Sequence, residues 1–171
     1  MGVIRFFREC RPDDELARLA DAPALRRRVV VRPLVGPAER EALVVLAAAS
    51  AAPAAGATFQ PAGLVGELAS REGREIIAWL AWDGPACGEP SGEEVLPGAV
   101  GFVALNRTRS GWSIPWLLVH PRARRLGVGR RLVAHAIAHA RSRGAAGVSA
   151  ETLDTWTAAG SFWESIGFGR R

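Results

Sequence analysis

The run Val119-His120-Pro121-Arg122-Ala123-Arg124-Arg125-Leu126-Gly127-Val128-Gly129 constrains this chain more than any other. Pro121 stops an apolar run over 112–119 that reads as a strand. From Val128 to Ser142 the apolar residues recur at helical spacing. Val128, Leu132, Ala136 and Ala140 share one face, with Val133 and Ile137 beside them. Arg131, His135 and His139 fall on the other side, and Gly144 is placed to end the helix. The chain must therefore pass from a strand into a helix through a Gly-rich turn. Gly127 and Gly129 allow close approach and unusual φ there. The first-turn N–H groups lack intrahelical partners and the helix dipole adds positive potential, so the turn is an anion site. Arg124 adds a guanidinium suited to phosphate oxygens. No Gly-Lys-Ser/Thr follows, which excludes a P-loop, and the GxGxxG spacing is absent, which excludes the dinucleotide fingerprint.

The remaining elements follow from composition and punctuation. Residues 1–26 read as a polar lead with a short helix from Asp13 to Leu19. Arg28 to Leu34 is a β-branched run stopped by Pro and Gly, hence a strand. Pro37 opens a helix that runs to about Ala49, and Leu64 to Arg71 reads as a second, shorter one. Strands are expected over Glu75 to Trp82, Gly98 to Asn106, Trp112 to Val119 and Ala146 to Thr152. A last helix runs from Thr157 to Ile166. Loops rich in Ala, Pro and Gly occupy 50–63 and 85–97. This order predicts an α/β layer architecture with a mixed sheet, one domain over 27–171 preceded by the lead.

The 171 residues suit a single domain, which needs neither metal nor disulfide to fold. All 22 basic residues are Arg, and the net charge is +5. The plain reading is a solvated Arg-rich surface; the functional one is an anionic partner, a phosphorylated cofactor or nucleic acid, and the spread of Arg without a basic arm gives no support to nucleic acid. Cys10 and Cys87 form no CxxC pair, which argues against a metal or redox motif. His135 and His139 are spaced i, i+4, but no HExxH pattern accompanies them. The N-terminus lacks an apolar h-region, and the apolar stretch Val44 to Ala57 is broken by Ser50 and Pro53. A cytoplasmic protein without membrane contact is expected.

Two motifs together resemble the GNAT superfamily of N-acetyltransferases. Arg124-x-x-Gly127-x-Gly129 after Val119-His120-Pro121 is similar to its Arg/Gln-x-x-Gly-x-Gly/Ala signature, with Arg125 where Gly is common. Ala159-Gly160-Ser161-Phe162-Trp163-Glu164-Ser165-Ile166-Gly167-Phe168 is similar to its A-x-x-F-Y-E-x-L-G-F. The resemblance covers Val29 to Phe168. It implies a GNAT-like α/β fold, with a mixed, mostly antiparallel sheet flanked by helices and splayed between the fourth and fifth predicted strands, 112–119 and 146–152. Acetyl-CoA would serve as co-substrate, with no metal. Its pyrophosphate would rest on Arg124, Arg125, Leu126, Gly127, Val128 and Gly129, and its pantetheine on the backbone of Leu117, Leu118 and Val119. Arg122, Arg130 or Arg131 would reach the 3′-phosphate. The family usually continues past Phe168 into another strand. Its absence would leave a sheet edge that pairs with a second copy, which predicts a homodimer.

Acyl transfer from a thioester to a primary amine needs a base, donors for the oxyanion and a leaving thiolate. Glu151 matches the glutamate base of the family's N-terminal-alanine acetyltransferases, and His120 is a chemical rival. The usual acid, a Tyr, is replaced by Trp163, and the chain contains no Tyr. An indole donates a hydrogen bond but delivers no proton, so either Trp163 contacts the cofactor by packing on or hydrogen-bonding near the sulfur, or the thiolate leaves unaided. Trp156 stands where an Asn often contacts the cofactor. The resemblance implies an acetyl-CoA-dependent N-acetyltransferase for a small-molecule or protein amine. The alternative is a catalytically weak acyl-CoA-binding regulatory module of the same fold. Trp79, Trp82, Trp112 and Trp116 on the strands read as core residues; the alternative is an aromatic wall in the acceptor cleft, favouring an apolar or cationic substrate. The acceptor is not specified; its loops would come from 50–63 and 85–97.

Overall fold

Runs of β-branched and aromatic residues form strands β1 (Val3–Glu9), β2 (Val29–Pro33), β3 (Glu75–Asp83), β4 (Ala99–Thr108), β5 (Gly111–Val119), β6 (Gly147–Leu153) and β7 (Gly169–Arg170). Helices α1 (Pro37–Ala51), α2 (Val128–Ser142) and α3 (Thr157–Ser165) flank them. The computed structural model describes residues 2–11, 29–51, 75–83 and 98–171, together with positions 64, 66 and 68. The predicted helix Asp13 to Leu19 and the loops 52–63 and 85–97 lie outside the described residues. Of the predicted helix Leu64 to Arg71, only positions 64, 66 and 68 are described, and all three are helical.

One mixed sheet runs in the order β2-β3-β4-β5-β6-β1-β7. Every pairing is antiparallel except β5 with β6, which is parallel. β4 is central and apolar on both faces, as a doubly covered strand must be. On one face, Leu43, Leu46 and Ala47 of α1 pack against Leu80, Phe102 and Ala104. On the other, Leu132, Val133 and Ile137 of α2 and Trp163 of α3 pack with Phe6, Val103, Leu105, Ile114 and Val148. Each large apolar side chain so buried stabilises the fold by about 1.5–3 kcal/mol. Gly101 lets α2 sit close. A Cβ there would stand 2.7 Å from Leu132 Cδ1 and 2.8 Å from Val128 Cγ1. The first turn of α2 is thereby seated on the sheet.

Two expectations are corrected. Val3–Glu9, read as part of a polar lead, is a full strand paired along β6 from Val3↔Leu153 to Glu9↔Gly147. Phe6 and Ile4 face the core while Arg5 and Phe7 face outward, so alternation is present in Val3-Ile4-Arg5-Phe6. β1 covers the edge of β6 and in turn holds β7, the short strand after Phe168, through Phe6↔Arg170 and Phe7↔Gly169. The second correction concerns His135 and His139. They lie against the sheet, their rings 5.1 and 5.3 Å from that of Trp79. A helix lying on a sheet buries a stripe wider than one row of residues, and the two histidines form its margin. Trp79 and Trp112 are core residues, as expected. Among the described residues no helix is long and apolar enough to cross a membrane.

Candidate active site

The sheet splits where the site lies. β5 and β6 pair only through Trp112↔Val148, Ser113↔Ser149 and Ile114↔Ala150. Beyond Ile114 the ladder stops. Two local causes are visible. The β4–β5 register shifts between Ala104 and Asn106, which places an extra residue in β5 and bends it. Pro115 follows at once and has no N–H for a ladder. The expected splay between the strands over 112–119 and 146–152 is this split.

The side of β5 that faces the gap follows from one hydrogen bond. His120 N–H donates to Val100 O at 2.9 Å. Alternation in an antiparallel ladder then commits Leu118 and Trp116 to β4. Leu117 and Val119 turn their N–H and C=O to the gap. Leu118, grouped with them by the sequence reading, does not join them. Its backbone is engaged by β4 and its side chain packs beneath α1.

The turn after β5 begins as a short 3-10 segment, Pro121–Ala123. His120 caps it, its Nδ1 accepting from Arg122 N–H at 3.2 Å. Burial, then the neighbouring Arg122 and Arg124 cations, hold its pKa below the ordinary imidazole value. His120 is thus a neutral cap committed to the turn. Arg124 Nε donates to Val119 O at 3.3 Å, which folds the side chain back over the gap. Arg125 at φ 64 and Gly127 at φ 82 both sit in the left-handed region, so the chain reverses tightly into α2. Gly127 is the α2 N-cap and offers no side-chain cap, and no acidic residue stands in the first turn. The N–H groups at Val128 and Gly129 are therefore open to an external anion. Leu126 projects from the turn, 43% exposed.

The two sequence motifs meet at Gly129. A Cβ there would lie 3.3 Å from the Phe162 ring and 3.5 Å from Val119 Cγ2. Arg130 Nη2 also reaches Ser165 O at 3.1 Å, binding the start of α2 to the end of α3. These features fit an extended anionic ligand such as a CoA thioester: uncapped amides, a close-approach glycine, and an unpaired strand edge leading away from them.

Glu151 stands on β6 one residue past the last β5–β6 pair. Its Oε1 accepts from Arg5 Nε at 2.8 Å, and the two side chains are 56% and 75% exposed. They are direct cross-strand partners. Arg5 was missed in the sequence because its segment was read as a lead; the alternation in 3–6 was the available signal. Trp156 is the N-cap of α3 without a side-chain capping bond, and its indole is exposed. Trp163 is only 4% exposed and packs between Phe162 and Phe168, with ring centroids 5.2 and 5.0 Å away. It fills core. Among the described residues no group of three or more His, Cys, Asp or Glu joins His135 and His139.

The family model for the acetyltransferase (GNAT) family matches residues 58–168. No curated protein matches the sequence. Among solved structures, a conserved protein of unknown function from Staphylococcus epidermidis superposes with TM-score 0.64 at 17% identity, covering 99% of this chain and 57% of that one. A tandem GNAT protein from the clavulanic acid biosynthesis pathway gives TM-score 0.63 at 15% identity, covering 98% and 50%. The ribosomal-protein-S18-alanine N-acetyltransferase of Escherichia coli gives 0.59 at 17%, covering 83% and 78%. The chain thus spans 57% and 50% of the first two proteins. At these identities the likeness establishes the shared fold.

Proposed function

Because the chain belongs to the GNAT family of acetyltransferases, we propose that it moves an acetyl group from acetyl-CoA to a primary amine by direct attack. The observation that carries this reading is the split itself: uncapped α2 amides at Val128 and Gly129 lie at one end, and Glu151 lies on the opposite strand just past the last β5–β6 pair. Val128, Gly129 and Arg124 would hold the pyrophosphate, and Arg125 and Leu126 shape the turn around it. Leu117 and Val119 would take the pantetheine amides on their gap-facing backbone. When bound, the co-substrate supplies a thioester carbonyl and a thiolate leaving group.

This chain's own groups then have two tasks. An amine arrives as ammonium, with a pKa of about 10.4 for an alkyl amine, and must lose a proton. Glu151 Oε2 is the acceptor for it, directly or through a water, while Arg5 holds Oε1. The developing oxygen charge needs a donor in the gap. Pro115 has none, which leaves Leu117 N–H as the first gap-facing amide beyond the ladder. No Tyr stands by as acid, and Trp163 is packed in the core. The thiolate therefore leaves without a protein proton, as a thiol of pKa about 8.5 permits.

The test is thiol release from acetyl-CoA against a panel of amines. Turnover is expected, and Glu151→Gln is expected to lower kcat by about 10²-fold or more with little change in acetyl-CoA affinity. Binding of acetyl-CoA without release of CoA from any amine would overturn the transferase reading.

A further inference from the structure

The N-terminal strand brings a cation to the mouth of the split. Arg5 spends only its Nε on Glu151. Among the described residues its terminal N–H groups meet no other carboxylate, and the side chain is 75% exposed. An ion pair this open contributes little to stability. Its two members nevertheless stand side by side on the sheet face away from α2, since Ile4 and Phe6 take the core face. A second guanidinium reinforces the positive side. Arg171 lies over the Phe7 ring with its Cζ 3.8 Å from the centroid, and its N–H donates to Arg5 O at 2.9 Å. Phe7 lies two residues from Arg5 on the same face. Glu151 thus has the Arg5 guanidinium beside it, and that of Arg171 lies further along the same face, over Phe7.

We propose that Arg5 is a specificity-determining residue that selects acceptors carrying a carboxylate close to the amine. The proposal rests on the acetyltransferase reading above and on Glu151 receiving the amine. A guanidinium fork matches a carboxylate in two parallel hydrogen bonds. An acceptor that places its ammonium on Glu151 and its carboxylate on the outer edge of Arg5 must span about one guanidinium width. One to three carbons between the two groups achieve that, as in α-, β- and γ-amino acids. A neutral amine would leave the Arg5 fork to water. An amine with a second positive charge there would be repelled by Arg5.

The experiment measures acetyl-CoA-dependent thiol release for α-, β- and γ-amino acids against their own carboxamides, in wild type, Arg5→Gln and Arg5→Lys. In wild type, kcat/KM for the best amino acid should exceed that of its amide by at least about tenfold, carried mainly by KM. Arg5→Gln should bring the ratio close to one with acetyl-CoA affinity unchanged, and Arg5→Lys should restore part of it. Equal use of acids and amides by the wild type would overturn the proposal and leave the transferase reading standing. So would a preference that survives Arg5→Gln. Absence of CoA release with every amine would remove the transferase reading and this proposal with it.

Discussion

A Cβ placed on Gly129 would meet the Phe162 ring at 3.3 Å, so the Arg124–Gly129 turn and the second motif touch at the first turn of α2. That distance is tight for carbon contacts, and Phe162 is partly buried against the core. Gly129→Ala sets a helix-propensity gain of about 1 kcal/mol against a displacement of a few tenths of an ångström, and should be close to neutral in stability. Gly129→Leu cannot be absorbed. It should cost about 1–3 kcal/mol from overpacking and weaken acetyl-CoA binding at least about tenfold, since 1.4 kcal/mol of lost contact is already that much. Thermal melts and titration of acetyl-CoA on the two variants check both.

Gly127 has a different constraint, its own backbone. At φ 82 any L side chain is strained, by roughly 1–2 kcal/mol. Gly127→Ala should lower stability by about that amount. Gly127→Glu adds a carboxylate at the helix N-cap where the proposed pyrophosphate would sit. It should abolish detectable acetyl-CoA binding while circular dichroism shows the helices retained. Normal affinity in Gly127→Glu would refute the placement of the pyrophosphate.

How much of this was legible in the chain depends on the kind of signal. α2 was predicted over Val128 to Ser142 and is found there, because its apolar spacing is sustained and its ends carry Gly127 and Gly144. β3, β4, β5 and β6 agree within about two residues, the usual uncertainty of element ends. The split was reached only through the family resemblance. Its immediate causes, a bulge opposite Ala104–Asn106 and the missing amide of Pro115, are tertiary. β1 was missed because Arg5 and Arg8 make the segment look polar, although both cross into the sheet. The cross-strand pairing of Arg5 with Glu151 joins residues at opposite ends of the chain, and no local pattern encodes it. Polar type alone puts His135 and His139 on the solvent side of α2. Their rings edge against Trp79 instead.

That placement predicts a pH dependence. Burial first, then the His139 and Arg131 neighbours, hold the His135 pKa below its ordinary 6.5. The folded state therefore favours neutral imidazole. Above pH 6.5 both folded and unfolded chains carry it neutral and the contribution is complete. As pH falls below 6.5 the unfolded chain takes up the proton first, and stability is lost until the lowered folded value is passed. Urea unfolding followed by Trp fluorescence between pH 7.5 and 5.5 should show the decline. His135→Leu should flatten it, and an unchanged slope in that variant would exclude His135 as the source.

Thr152 supplies a last test, set one residue from Glu151 on the opposite face of β6. It is 8% exposed, and among the described residues its Oγ1 has no hydrogen-bond partner. Its neighbours on that face are apolar: Ala150 beside it on β6 and Ile4 across on β1. A hydroxyl removed from water without a partner costs about 1–3 kcal/mol, whereas valine offers nearly the same shape without that penalty. Thr152→Val should therefore stabilise the protein by about 1 kcal/mol, read as a higher urea midpoint at unchanged m-value. Thr152→Ala separates shape from polarity. It removes the same hydroxyl but also a methyl, and the cavity term should cancel most of the gain. If Thr152→Val instead destabilises the fold, the hydroxyl has a partner in solution. Acetyl-CoA titration of the same variant would then tell whether that partner lies on the cofactor side of the split.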